Sequence, residues 1–399
     1  MASVFRWRRA TDVQRTVGQP LWPVVPGVQR YLGTLRREGI SMRSIGRHAT
    51  PLGTMRRVAV IFTFICVALT GCASHDAPLP AARTQQSSAN DDAAAILPSW
   101  RDGAARSAIL KFVADVTREG SPAYVPPSAR IAVFDNDGTL WSEQPMPFQL
   151  SFMIEQVKAA APRHPEWQRS PAFKALVAHN TAALAQNKKE LIQLLAVANS
   201  GMTTDDYDRS IRAWLTSSTH PTLHRRYTEL VYQPQLELLA LLRQNGFKIW
   251  IVSGGTAEFM RVWVKEAYGI PPEQVVGTEE KLKYEVRDGT PVLMREPGFA
   301  FNDDGPGKPV GIFRAIGQRP ILAFGNSDGD REMLEYTASG PGATLALLVH
   351  HDDADREFAY DRKSSLARLD KAWDEAVARG WIVVSMKQDW KTVYPVAKP

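Results

Sequence analysis

Three short stretches in this chain, 131–134, 321–324 and, apolar but for Lys248, 247–252, each end directly in a polar cluster. The clusters are Asp135-Asn136-Asp137-Gly138-Thr139, Ser253-Gly254-Gly255-Thr256 and Gly325-Asn326-Ser327-Asp328-Gly329-Asp330. Short continuous apolar runs closed by turn residues read as strands buried on both faces, and stretches of helical spacing separate them. This alternation predicts an α/β fold built on an open parallel sheet covered on both sides. Ligands of such sheets sit beyond the carboxyl ends of the strands. All three clusters fall there.

Helical spacing predicts a helix over 105–116 and five more within 142–245, at 148–161, 173–185, 188–198, 205–215 and 235–243. Thr204 is placed to cap the fourth of these five, and Asn245-Gly246 to stop the last. A helix over 257–267, a Pro271-Pro272 break and two or three short strands around 281–285 and 291–294 follow. Lys308 precedes a helix over 310–316, and 344–349 and 381–385 complete the strands. The folded part thus divides into a core, 96–141 and 246–399, and a helical insert, 142–245.

Of the 399 residues, 44% are hydrophobic and 23% charged, a balance that excludes disordered, collagen-like and polytopic membrane chains. The net charge of +6 is concentrated at one end: residues 1–71 hold eleven Arg against Asp12 and Glu38. The remainder is mildly acidic, so no nucleic-acid partner is expected. Arg56-Arg57, an uncharged apolar run from Val58 to Leu69 and Thr70-Gly71-Cys72 have the layout of a secretory signal. The run is shorter than the roughly 20 residues of a membrane span. Leu69-Thr70-Gly71-Cys72 also resembles the lipobox of bacterial lipoproteins, which implies a lipid on Cys72 that anchors the chain to a membrane. With Met55 just before the Arg pair, 1–54 reads as an upstream extension, 55–71 as a lipoprotein signal peptide and 72–95 as a flexible tether. Ala73-Ser74 lacks the Asp that favours inner-membrane retention, pointing to the outer membrane facing the periplasm. Cys66 lies in the discarded segment, so no disulfide is expected.

Asp135 and Asp137, two apart on chain leaving a strand, can face one reacting centre. Such a pair can divide labour, one carboxylate as nucleophile and the other as acid and then base. Ser253-Gly254-Gly255-Thr256 offers a hydroxyl, bare N–H groups and a helix start, the elements of an anion site. Lys308 can place an ammonium on phosphoryl oxygens. Asn326, Asp328 and Asp330 suit a cation that prefers oxygen, such as Mg²⁺. His350-His351-Asp352-Asp353 reads as a polar strand end that supports the site rather than as a second metal site.

In chain order, the first cluster, Ser253-Gly254-Gly255, Lys308 and the stretch from Gly325 to Asp330 together resemble the haloacid dehalogenase superfamily of phosphohydrolases, over about residues 100–350. The resemblance implies a Rossmann-like core with an inserted cap and hydrolysis of a small phosphomonoester through an aspartyl-phosphate, with Mg²⁺ as cofactor. It makes Asp135 the nucleophile, Asp137 the general acid and base, Ser253, Gly254 and Thr139 the phosphate contacts and Lys308 the neutralising cation. Asp135, Asp137, Asn326 and Asp330 become the metal set. Asp137 separates phosphatases and phosphomutases from the dehalogenases, which lack it. Asn326 departs from the pattern, which has Asp there, and Asp328 or Asp330 is expected to compensate. The insert resembles the helical type 1 cap of the phosphoserine phosphatase branch. The Glu that binds the substrate amine in that branch corresponds to Gln144 here, with Glu143 beside it. Trp141 reads as a pocket wall or as core. A phosphotransferase or phosphomutase of the same fold, and a non-catalytic envelope lipoprotein, stand as the alternatives.

Overall fold

The computed structural model describes residues 96–178 and 180–396; the expected extension, signal peptide, Cys72 and tether lie outside them. The strands are β1 (Ile131–Phe134), β2 (Lys248–Thr256), β3 (Val275–Arg287), β4 (Thr290–Phe301), β5 (Leu322–Gly325), β6 (Leu345–Asp352), β7 (Ala359–Tyr360) and β8 (Ile382–Ser385). They form one sheet in the order β4-β3-β2-β1-β5-β6-β7, with β8 also on β6. Pairing from β3 through β2, β1, β5 and β6 to β8 is parallel, while β4 and β7 join antiparallel. This is the expected α/β fold with an open, mostly parallel, Rossmann-like sheet and helical insertions.

Alternation along the strands explains why both faces are covered. Ala132 and Phe134 of β1, Leu322 and Phe324 of β5 and Leu345, Leu347 and Val349 of β6 belong to one buried cluster. Their neighbours Ile131, Val133, Ala323, Ala346 and Leu348 belong to the other. Successive side chains point to opposite faces, so a run that is apolar at every position must be buried twice. Helix Ala104–Thr117 and helix Gln233–Gln244 pack on the first face through Ile109, Val113, Leu238, Leu239 and Leu242. Helices Arg331–Ala338 and Lys371–Arg379 pack on the second through Met333, Leu334, Ala372 and Ala376.

The insert has its own small core, in which Val157, Trp167, Phe173 and Leu176 meet Leu194 and Leu195. Its helices differ from expectation in detail. The stretch expected at 173–185 is two helices, Pro171–Val177 and Thr181–Gln186, because Asn180 accepts the Ala183 N–H and begins a new one. Thr203, not Thr204, caps helix Thr204–Ser217, its hydroxyl accepting the Asp206 N–H at 3.0 Å. The stretch at 257–267 likewise breaks into Ala257–Arg261 and Val264–Tyr268.

The largest departure is at 275–301. Instead of two or three short strands there is one long hairpin, turning at Asp288-Gly289 with φ of 51° and 77°. A two-residue turn with both φ positive matches the twist of the strands it joins. The hairpin reaches the insert: Gly201 N–H donates to Arg295 O at 2.9 Å, Arg295 N–H donates to Met202 O at 3.0 Å, and Thr203 bridges Met294. The Arg295 guanidinium is buried against Glu280 and Asn199 O and lies 3.2 Å from the centre of the Tyr207 ring. Among the described residues, no helix is long and apolar enough to cross a membrane.

Candidate active site

The three clusters converge on one cleft of about 620 Å³ at the carboxyl ends of β1, β2 and β5. Asp135, Asp137, Ser253, Gly254, Lys308 and Asp330 all line it. The insert contributes Pro147, Gln149, Leu150 and Met153, and the hairpin contributes Phe299. Gln149, on helix Phe148–Ala160, ties the insert to the second cluster: its amide accepts the Thr256 N–H at 2.9 Å and donates to Thr256 Oγ1 at 2.7 Å.

The turn after β1 is wound around one carbonyl. Asn136 O accepts the N–H groups of Thr139, Leu140 and Trp141, and Gly138, at φ 73°, closes the turn. Glycine takes that backbone region without a steric penalty. His351 Nε2 donates to Gly138 O at 2.8 Å, while His351 Nδ1 faces Glu357 Oε2 at 3.2 Å. His351 thus braces the turn from β6, which fits the supporting role read for the His350–Asp353 stretch.

Lys308 sits at the centre. It is not on a loop, as expected, but in the first turn of helix Gly307–Ile316, and it is 2% exposed. Its Nζ donates to Asp135 Oδ1 at 2.7 Å, Asp330 Oδ1 at 2.5 Å and Val252 O at 2.9 Å. Three acceptors meet its three N–H bonds. Burial works against the ammonium, but the Asp135 and Asp330 charges outweigh it and hold Lys308 above its ordinary value. Burial, and next the Asp330 charge, push the Asp135 carboxyl upward, with Lys308 opposing.

Asp137 Oδ1 accepts from Trp141 Nε1 at 2.5 Å and Asn136 Nδ2 at 3.1 Å, so a proton on this carboxyl belongs on Oδ2. Burial pushes Asp137 above its ordinary value, and the Trp141 hydrogen bond offsets part of that. A carboxyl held above its ordinary value keeps its proton to a higher pH than a free one, the direction a general acid needs. Trp141 itself is fully buried, stacked on Trp263 with ring centres 4.0 Å apart, so it is core with a polar handle rather than a pocket wall. Ser253 Oγ accepts the Gly255 N–H at 3.1 Å and keeps its own O–H to offer.

Two expected site residues are placed otherwise. Thr139 is fully buried off the cleft, its hydroxyl donating to Asn326 Oδ1 at 3.3 Å. Asp330 Oδ1 accepts from Lys308 and Oδ2 from the N–H groups of Asn326 and Ser327, so it anchors Lys308 and the loop. Asp328 Oδ1 accepts the N–H groups of Asp370 and Ala372 at the start of helix Lys371–Arg379, and Arg368 lies 3.9 Å from its Oδ2. Gln144 does not line the cleft, whereas Glu143 does. Burial, and next the Asp137 charge, push the Glu143 carboxyl well above the usual carboxylate range.

The donor set fits Mg²⁺. Lys308 occupies one oxygen of Asp135 and leaves the second without a protein donor, and among the described residues no backbone N–H donates to the Asp137 carbonyl, so these two oxygens are open to a cation while Asp137 Oδ2 keeps its proton. Among the described residues no three acidic, His or Cys side chains close into a cation cage. Mg²⁺ needs none, since it binds through one or two carboxylates, waters and substrate oxygens.

The sequence profile of the haloacid dehalogenase-like hydrolases matches residues 132–335, from β1 to helix Arg331–Ala338. The chain belongs to this family of hydrolases. Of solved structures, this hydrolase is similar to a protein of unknown function from Bordetella pertussis Tohama I, at 14% identity and a TM-score of 0.41, covering 64% of this chain and 97% of that one. It is also similar to a phosphoserine phosphohydrolase-like protein from Francisella tularensis, at 21% identity and a TM-score of 0.30, covering 55% and 87% of the two chains. Among curated proteins none matches. The family assignment rests on the sequence match together with the cleft just described.

Proposed function

We propose that this hydrolase cleaves small phosphomonoesters with Mg²⁺, through a covalent phosphoryl group on Asp135. The observation that carries the reading is the buried Asp135–Lys308–Asp330 triad opening on the same cleft as Ser253 and Asp137. Held by an oxygen of Asp135 and the backbone carbonyl of Asp137, Mg²⁺ would neutralise charge on the phosphoryl oxygens. Ser253 Oγ and the Gly254 backbone hold those oxygens, and the Lys308 ammonium faces the charge that develops on them. An Asp135 carboxylate oxygen attacks phosphorus as the bond to the ester oxygen breaks, and the proton on Asp137 Oδ2 goes to the leaving oxygen. Asp137, now a carboxylate, takes a proton from water as that water attacks the phosphoryl group. Inorganic phosphate leaves, and both carboxyls return to their starting states.

The test is hydrolysis of p-nitrophenyl phosphate by the purified full chain with Mg²⁺ and with EDTA. Release of p-nitrophenol that stops with EDTA and returns with added Mg²⁺ is the expected result. Folded protein without activity under any divalent cation would count against catalysis and for a binding role. Phosphate transferred to an added alcohol in preference to water would favour a phosphotransferase.

The same proposal places the enzyme at the periplasmic face of the outer membrane, lipid-anchored through Cys72. Its support is the pattern of residues 55–72, which lie outside the described residues. Expressed cells fed labelled fatty acid are expected to label the protein, and Cys72→Ala is expected to abolish the label. Labelling that survives the substitution would remove this anchor.

A further inference from the structure

An Asn where this family carries an acidic metal ligand leaves the cation site one negative charge short, while Asp328 is turned to the start of helix Lys371–Arg379 and Asp330 to Lys308. Glu143 is the acid in direct contact with Asn326. It lies just beyond the first cluster, is 4% exposed and lines the cleft, whereas Asn326 does not line it. Asn326 Nδ2 donates to Glu143 Oε1 at 2.6 Å, and Tyr360 Oη donates to the same oxygen at 2.8 Å. Both donors fall on Oε1, so Oε2 has no protein donor. The backbone is shaped for this contact. A Cβ on Gly138 would stand 2.0 Å from Asn326 Nδ2 and 2.2 Å from Glu143 Oε1, so only a glycine lets the two side chains meet over the turn.

We propose that Glu143 supplies the missing negative charge of the cation site, facing the cation through its waters rather than closing a cage of three acids, and that Asn326 is its seat, the acid and its neighbour having exchanged places. The exchange accounts for the amide at 326. An Asp there would set a second carboxylate about where Nδ2 now stands, against Glu143, and two carboxylates in contact cannot both stay charged without a cation between them. Glu143 leaves the chain immediately before the insert, so the cation site takes one of its charges from the segment that carries the cap. The inference rests on the phosphatase reading for the presence of Mg²⁺ and goes beyond it in naming the source of that charge.

Mg²⁺ binding to the purified full chain, followed by calorimetry without substrate, tests this on wild type, Glu143→Gln and the exchange variant Glu143→Gln/Asn326→Asp. Glu143→Gln is expected to weaken Mg²⁺ binding by about tenfold or more, the scale on which groups around a metal act. The exchange variant, which restores one acid and one amide in contact, is expected to return to within about threefold of wild type, as a coupled pair requires. A purely structural role for Glu143 would not produce that recovery. Glu143→Gln binding Mg²⁺ as wild type does, or an exchange variant no better than Glu143→Gln, overturns the proposal. If Glu143→Gln fails to fold, the exchange variant decides alone: binding near wild type supports the pairing and loss of binding overturns it. Wild type that binds no Mg²⁺ overturns the metal-dependent function and this inference together, whereas wild-type binding with an unaffected Glu143→Gln overturns this inference alone.

Discussion

Asp135→Asn is expected to remove turnover of p-nitrophenyl phosphate by on the order of a thousandfold or more, the scale seen when a nucleophile is deleted, while leaving the protein folded. The physical case is that Asn keeps the shape of the side chain and an oxygen for Lys308 Nζ, which now sits 2.7 Å from Oδ1. What it removes is the carboxylate charge and the oxygen that attacks phosphorus. Steady-state rates with Mg²⁺ and thermal melts of the same preparations check both halves. Acid-quenched wild type incubated with labelled substrate should retain label on the protein, and Asp135→Asn should retain none. A folded Asp135→Asn enzyme with more than a tenth of wild-type activity would sink the nucleophile assignment.

Lys308→Met is expected to damage stability as well as activity. The ammonium is the counter-charge for Asp135 and Asp330, and side-chain exposure across the three is 9% or less. Removing one partner from a buried ion cluster typically costs about 3–5 kcal/mol, because the remaining charges are left without compensation. Relief comes from protonating one of the two carboxyls, and burial already pushes Asp135 upward with Lys308 in place. A carboxyl whose folded-state pKa is raised stabilises most below its unfolded value near 4 and loses that stabilisation as pH rises. The deficit of Lys308→Met against wild type should therefore be larger at pH 8 than at pH 5, as read by denaturant unfolding at the two pH values. Equal deficits at both would mean that the cluster is not the cause.

Much of the core could be read before the fold was in view, and the reason is local. The runs at 131–134 and 321–324 are apolar at every position, which only a strand buried on both faces tolerates, and the polar clusters mark where those strands leave the sheet. The hairpin was less legible because β3 beyond its first residues is exposed and charged, through Lys281, Lys283 and Glu285, so the apolar signal faded. Asp288-Gly289 between two alternating runs was the available clue. In the site, the meeting of Asp135, Asp137, Ser253 and Lys308 in one cleft was legible in their spacing. Asp330 and Thr139 did not, because an acid or hydroxyl on a loop is equally apt to bind a cation, a lysine or its own backbone, and only side-chain direction decides. Glu143 was visible as the neighbour of Gln144, but its contact with Asn326 spans 183 positions of chain and depends on the bare Cα of Gly138.

The β3–β4 hairpin has a mechanical consequence. A lid joined to its base only where the chain enters and leaves can swing widely about that pair of crossings. Here the insert is held at a third point, where Gly201, Met202 and Thr203 bond to Met294 and Arg295 on a strand that is itself zipped to the edge of the sheet. Together with the Gln149–Thr256 bonds, these attachments leave no simple axis of rotation. Any wide opening has to carry the hairpin along and twist the edge of the sheet, or break these bonds one after another. A change in the width of the cleft mouth is thus tied to a deformation of the sheet edge.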